Sequence, residues 1–149
     1  MDAAVRMVRR LAAIAFADVA GWSRLVEANE LEAVRAWSGL RTGFIEPKIR
    51  EHAGRLVDLA GDAVFVEFTS AIDAVSWALD LQRQPGASGS AEPGHALRLR
   101  IGINVCDVLV DEGRLAGDGV NIAARIHQLC SPGEIVVTEA VREHVHHRI

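Results

Sequence analysis

Residues 56 to 68 read Leu-Val-Asp-Leu-Ala-Gly-Asp-Ala-Val-Phe-Val-Glu-Phe. Two strand-like apolar runs, Leu56 to Ala60 and Val64 to Phe68, are parted by Gly61-Asp62, a dipeptide suited to a tight β-hairpin. The reading places Asp62 at the hairpin tip. On the N-terminal side, Leu11 to Ala17 is a continuous apolar stretch closed by Asp18 and Gly21, as expected of a strand buried on both faces. Between this strand and the hairpin, Leu25, Leu31, Val34, Trp37, Leu40, Phe44, Ile45 and Ile49 recur at three- and four-residue spacing. That is the pattern of helix with one buried face, with Asn29 capping its longer part and Pro47 as a kink.

On the C-terminal side of the hairpin, a helix from Ser70 to about Gln82 carries Ala71, Ala74, Val75, Ala78 and Leu79 on its apolar side, with Ser70 as its cap. Residues 83 to 94 hold two prolines and three glycines and read as a surface loop. Leu97, Leu99, Ile101 and Ile103 then alternate with Arg98, Arg100, Gly102 and Asn104, a half-exposed strand running toward Val110. A turn at Asp111 to Gly113, a helix from Gly119 to Leu129 apolar on nearly every side, a strand at Ile135 to Thr138 and a short helix complete the chain. No internal repeat is visible.

The chain has 149 residues, 50% of them hydrophobic and 24% charged, which fits one globular domain. Its 20 acids and 16 bases are scattered and the net charge is -4, so it lacks the basic stripe that nucleic-acid binding requires. Arg6, Arg9 and Arg10 ahead of the apolar run resemble the start of a short secretory leader, but the run is Ala-rich, too short to span a bilayer, and leads directly into Asp18. A buried strand is the better reading, with no membrane association. Cys106 and Cys130 show no Cys-x-x-Cys spacing and read as reduced, buried side chains, in keeping with a cytoplasmic protein.

Four polar residues interrupt apolar surroundings and so need a reason to be there. Asp18 ends the first strand and Asp62 tips the hairpin; two carboxylates at neighbouring strand ends suit Mg²⁺, with water and substrate phosphates filling its remaining positions. The plainer alternatives are that Asp18 caps the next helix and that Asp62 only makes a turn. Asn121 and Arg125, four apart, share one face of the helix that begins at Gly119, either as a narrow functional pair or as a solvated stripe. Where strand passes into helix, the backbone N–H groups of Trp22 and Ser23 are free to cradle phosphate oxygens. The six histidines, His52, His95, His127, His144, His146 and His147, show no metal-ligand spacing.

Three segments in order, Phe-Ala-Asp-Val-Ala-Gly-Trp-Ser (16 to 23), Leu-Ala-Gly-Asp-Ala-Val-Phe-Val-Glu-Phe (59 to 68) and Gly-Asp-Gly-Val-Asn-Ile-Ala-Ala-Arg (117 to 125), resemble the signature segments of class III adenylate and guanylate cyclases. The similarity runs from about Leu11 to Val145. It implies an α+β fold, a ferredoxin-like antiparallel sheet flanked by helices, acting as a head-to-tail homodimer with its sites at the interface. It also implies two Mg²⁺ or Mn²⁺ ions held by Asp18, Asp62 and the Val19 carbonyl, with terminal phosphates held by backbone near Trp22 and Ser23. Asn121 of the second protomer would orient the ribose and Arg125 would stabilise the α-phosphate of ATP or GTP during cyclisation.

Two departures from the family stand out. Its adenine-reading lysine is Asp58 here and its partner aspartate is Arg114, while Lys48, the sole lysine, lies within a helix. The family's final strands, with a phosphate-binding lysine, are absent from the sequence as it stands, so the expectation is a single cyclase domain over residues 1–149 without them. The inverted pair at Asp58 and Arg114 suits guanine, unless the two simply pair with each other. Two competing readings remain: a cyclase-like domain that dimerises or binds nucleotide without turnover, and a phosphoacceptor receiver domain. The missing lysine at a later strand end argues against the receiver domain.

Overall fold

The structure is a computed structural model that describes residues 8–84 and 97–146. The expected loop therefore lies, beyond Gln84, outside the described residues, as do Arg6, His95 and His147. Strand β1 (Val8–Val19) is longer than the apolar run alone implied, because its ends are paired even where its side chains are exposed. The helical region that follows is α1 (Trp22–Ala28), α2 (Glu30–Leu40), a π-helical turn (Arg41–Ile45) and α3 (Glu46–Glu51). Asn29 is extended between α1 and α2, and its side chain accepts a hydrogen bond from the Glu32 amide, so it caps α2 as the sequence indicated. The irregularity expected at Pro47 is absorbed by the π-helical turn just before it, which leaves Pro47 in the first turn of α3.

Strands β2 (Gly54–Ala60) and β3 (Ala63–Phe68) form the hairpin, with Gly61 at φ 59° in its turn. Helix α4 (Ala71–Arg83) is capped by the Ser70 hydroxyl, which accepts from the Asp73 amide. Then come β4 (Leu99–Asp111), β5 (Arg114–Ala116), α5 (Asp118–Ile126) with a 3-10 turn at His127–Leu129, β6 (Ile135–Val137) and α6 (Glu139–Val145), which the Thr138 hydroxyl caps. The sheet order is β2-β3-β1-β4-β5, antiparallel throughout, while β6 pairs with β4 in parallel.

One face of the sheet carries the main core, in which Trp77, Phe68, Ile45, Leu81, Leu99, Ile101 and Ile103 are fully buried beneath the helices. On the opposite face a smaller cluster of Ala12, Ile14, Val108 and Ala123 packs against Phe16, Phe65 and Val120. Of the described helices, only α5 contributes to that cluster, which leaves this side of the sheet largely open.

One sequence expectation needs correction, and one apolar element is less buried than its composition suggests. Strand β4 is not half-exposed: residues 101 to 105 are all buried, since the chain around His127 lies over Gly102 and the Gly119 carbonyl accepts from the Asn104 side chain. Helix α5 is not buried all round: within it only Ala123 is buried, while Ile122 is 37% exposed and Leu129, in the following turn, 77%.

Candidate active site

Strand pairing builds the centre of the site. Asp18 and Arg100 are direct cross-strand partners on β1 and β4, so their side chains meet on one face. Arg100 donates to both carboxylate oxygens, from Nε at 2.9 Å and from Nη2 at 2.6 Å. His127 Nε2 lies 3.1 Å from Asp18 Oδ2, and its Nδ1 lies 2.7 Å from the Ala124 carbonyl. Both of those partners only accept hydrogen bonds when Asp18 is ionised, so the surroundings of both ring nitrogens favour the doubly protonated imidazolium. Burial by itself would raise the Asp18 carboxyl, but the bonds from His127 and Arg100 outweigh it and hold it below the ordinary range. His127 is raised for the complementary reason, the hydrogen bond to Asp18.

Asp62 is brought alongside. From the hairpin tip its Oδ2 accepts from the Val19 amide at 3.1 Å, one residue beyond Asp18. Burial raises its carboxyl, the Val19 amide offsets this only in part, and the negative charge of Asp18 adds to the rise. The two carboxylates thus sit in unlike surroundings: Asp18 is bonded directly by two basic side chains, whereas Asp62 accepts only from backbone amide and feels Arg100 at a distance. The helix-capping alternative for Asp18 does not hold, because α1 is preceded by Gly21 at φ 69° with no side-chain cap.

The Gly21 carbonyl accepts from the amides of Arg24 and Leu25, which leaves Trp22 and Ser23 at the open first turn, where helix amides have no intrahelical partner. Asn121 and Arg125 are exposed on α5, and neither side chain makes a hydrogen bond or ion pair within the described residues. They do not meet Asp18 or Asp62 within one chain, although the same helix runs on into His127, which does.

Away from this centre, a cleft of about 410 Å³ is lined by Val57, Asp58, Phe65, Arg114 and Leu115. Asp58 and Arg114 therefore share one cavity. Their side chains do not pair with each other: the Asp58 carboxylate instead accepts from the Leu59 amide at 2.9 Å. Phe65 stacks on Phe16 with centroids 4.3 Å apart, and Phe16 stacks on His127 at 6.1 Å, so a row of rings joins this cleft to the Asp18 centre.

Arg100 and His127 were not singled out from the sequence. Arg100 appeared only as a polar position in an alternating strand, and His127 only as a histidine without ligand spacing. The available signal was a basic residue predicted in a strand near a strand-end aspartate, which becomes decisive only once β1 and β4 are known to pair. Among the described residues no group of three or more His, Cys, Asp or Glu side chains is placed so that together they could hold a metal ion, and no helix is long and apolar enough to cross a membrane.

Residues 9–148 match the family described as adenylate and guanylate cyclase catalytic domain. The chain is 41% identical over 141 residues, 94% of its length, to "Putative adenylate cyclase 3" of Rhizobium meliloti (strain 1021), of which it covers 24%. A solved adenylate/guanylate cyclase/hydrolase from Silicibacter pomeroyi superposes with a TM-score of 0.88 at 34% identity, covering 97% of this chain and 84% of that one. The adenylyl cyclase CyaB from P. aeruginosa shares the fold, with a TM-score of 0.78 at 23% identity over 97% of this chain and 84% of that one.

The chain belongs to the adenylate and guanylate cyclase catalytic domain family, with the class III cyclase fold. It spans about a quarter to a third of the length of the first curated relatives it matches.

Proposed function

We propose that this domain converts a nucleoside triphosphate to its 3′,5′-cyclic monophosphate and pyrophosphate, working as a head-to-tail homodimer in cytoplasmic cyclic-nucleotide signalling. The observation that carries the reading is the placing of Asp18 and Asp62 side by side at a strand end and a hairpin tip. Carboxylate oxygens are hard donors that fit Mg²⁺ or Mn²⁺, which commonly take one or two carboxylates and leave other positions to water and phosphate. Asp62 accepts only from backbone amide, while Asp18 would have to share its oxygens between the metal and its Arg100 and His127 partners. Asp18, Asp62 and the Val19 carbonyl would hold two such ions. When bound, the ions lower the pKa of the attacking hydroxyl and offset charge on the phosphates.

The rest falls to the chain's own side chains. In the reaction the ribose 3′-oxygen bonds to the α-phosphorus, the bridging α–β P–O bond breaks, its electron pair leaves with pyrophosphate, and the hydroxyl proton passes to solvent. The amides of Trp22 and Ser23 would hold the terminal phosphates. Asn121 and Arg125, exposed and unpartnered within the described residues of one chain, would reach the ribose and α-phosphate in the partner's site. There a fixed guanidinium meets charge that grows in the transition state.

The cleft shared by Asp58 and Arg114 favours guanine. Asp58 accepts from guanine N1–H and the N2 amino group, and Arg114 donates to O6; adenine offers the reverse pattern and leaves both unsatisfied. Incubating the protein with GTP or ATP and Mn²⁺ or Mg²⁺ and measuring cyclic product tests both levels of the reading. GTP should be cyclised at least about tenfold more efficiently, the worth of one mismatched polar contact. A preference for ATP overturns the base assignment. Nucleotide binding without product would make the domain a non-catalytic dimerisation or nucleotide-binding module.

A further inference from the structure

Strands β2 and β5 are the two ends of the main strand order, yet their side chains line the same cleft. The sheet curls until its edges approach, and the gap between them is the cavity that holds Asp58 on one wall and Arg114 on the other. Among the described residues a single polar bond bridges the gap between β2 and the β4–β5 turn. Arg55, on β2, donates from Nη1 to the carbonyl of Gly113 at 3.3 Å. Gly113 sits at φ 83° beside Glu112 at φ 50°, and Arg114 is the next residue.

The other end of Arg55 is firmly held. Its Nη2 and Nε donate to Glu67 Oε1 at 2.9 and 3.3 Å. Glu67 is buried, 8% exposed, and also takes bonds of 2.7 to 3.0 Å from Arg10 on β1. A buried carboxylate fixed by two guanidinium groups is a rigid post, and the planar fork of Arg55 reaches from that post to the opposite wall. Arg55 also stands three residues before Asp58 on the same strand, separated from it by a β-bulge between Leu56 and Asp58. A bulge re-aims the side chains that follow it.

We infer that Arg55 is a positioning residue for base selection: clamped by Glu67, it holds the Gly113 carbonyl and so fixes the distance at which Arg114 faces Asp58. The inference rests on the cyclase reading above, but not on Arg55 touching substrate. A merely structural Arg55 would be replaceable by any cation that keeps the Glu67 ion pair, whereas a positioning Arg55 needs two donors pointing in fixed directions. Lysine separates the two roles, since its one ammonium can satisfy Glu67 but has no fork with which to reach Gly113 as well.

The test compares wild type, R55K and R55M by steady-state cyclisation of GTP and ATP. Competition of the two nucleotides against a fluorescent nucleotide analogue gives the same ratio without turnover, and thermal unfolding is followed in parallel. R55M should lose both stability and selectivity. R55K should keep a near-wild-type melting temperature, yet its GTP-to-ATP ratio should shrink about tenfold, the equivalent of one charge-assisted hydrogen bond, with the change falling on KM rather than kcat. An unchanged ratio in R55K, or equal binding of the two bases by wild type, overturns the inference while leaving cyclisation standing. Failure of wild type to bind either nucleotide overturns the proposed function and this inference with it.

Discussion

Asp18 and Arg100 face each other across β1 and β4, and the arginine grips both carboxylate oxygens. With His127 on the same carboxylate, Asp18 carries two cationic partners before any substrate arrives, while Asp62, its neighbour, has only amide donors. The two aspartates therefore have opposite effects on the fold, although the proposed chemistry needs both.

Substituting each by asparagine should expose this difference. Asp18→Asn leaves Arg100 and His127 without their counter-charge and should cost about 1–3 kcal/mol in urea unfolding. Asp62→Asn keeps an oxygen for the Val19 amide and removes a carboxylate that burial and Asp18 disfavour. The metal-free protein should then be unchanged or gain about 0.5–2 kcal/mol. Both variants should lose cyclase activity by more than the roughly 10–100-fold typical of residues that only support a metal ligand. Full activity in Asp62→Asn would remove Asp62 from the site.

Shared sites make a second expectation. An inactive Asp18→Ala chain mixed with an inactive Arg125→Ala chain should regain activity, because a mixed head-to-tail dimer contains one site with every group intact. At equal mixing, half of the dimers are mixed and each has one good site of two, so recovery should approach about a quarter of wild type. Mixed dimers that form and stay inactive would place Arg125 outside the partner's site.

The Asp18–His127 pair sets a pH window for stability. His127 is raised above 6.5 in the folded state, so its contribution is full below that value and fades as pH rises through the folded pKa. Asp18 is lowered below 3.8, so its contribution is full above that value and fades as pH falls through the folded pKa. The melting temperature of wild type minus that of His127→Gln should be greatest between these limits and shrink on the alkaline side. Each kcal/mol corresponds to roughly 2–4 °C. A difference that is flat from pH 5 to 9 would contradict a charged His127.

Gly102 supplies a packing test. A Cβ there would lie 2.7 Å from both the backbone nitrogen and the Cβ of His127, and backbone cannot swing aside as a side chain can. Gly102→Ala should cost about 1–3 kcal/mol and, by pushing the 3-10 turn off β4, should also weaken the pH dependence described for His127. An alanine variant as stable as wild type would mean that the turn is loosely held.

Features set by neighbouring residues were legible in the sequence. The Gly61-Asp62 hairpin and the caps at Asn29, Ser70 and Thr138 all depend on atoms within a few positions of each other, and the first three were read directly. The Asp18 centre was only half legible, because Arg100 and His127 lie 82 and 109 residues away from Asp18 along the chain. The same non-locality explains β4: the alternation of Leu97 to Asn104 is genuine, but Gly102 is covered by the turn at His127 and Asn104 by the start of α5 at Gly119, fifteen or more residues later. Strand β5, with three residues, is too short to show a period. The apolar residues of α5 were legible, but how little of that surface is covered was not, since only Ala123 is buried.

The pairing of β1 with β4 joins twelve registered positions across most of the chain. At synthesis rates of about 5–20 residues per second, β1 is complete roughly 4–16 s before Arg100 has been made. For the first part of that interval its apolar run Leu11 to Ala17 has no sheet partner at all, and once β3 has been made it has a partner on one side and none on the other. Forming the central pair then means closing a loop of about eighty residues, the kind of non-local contact that slows folding. Nascent chains thus pass through a period in which the strand bearing Asp18 is an open edge, and the last step that closes the edge also assembles the Asp18–Arg100 pair.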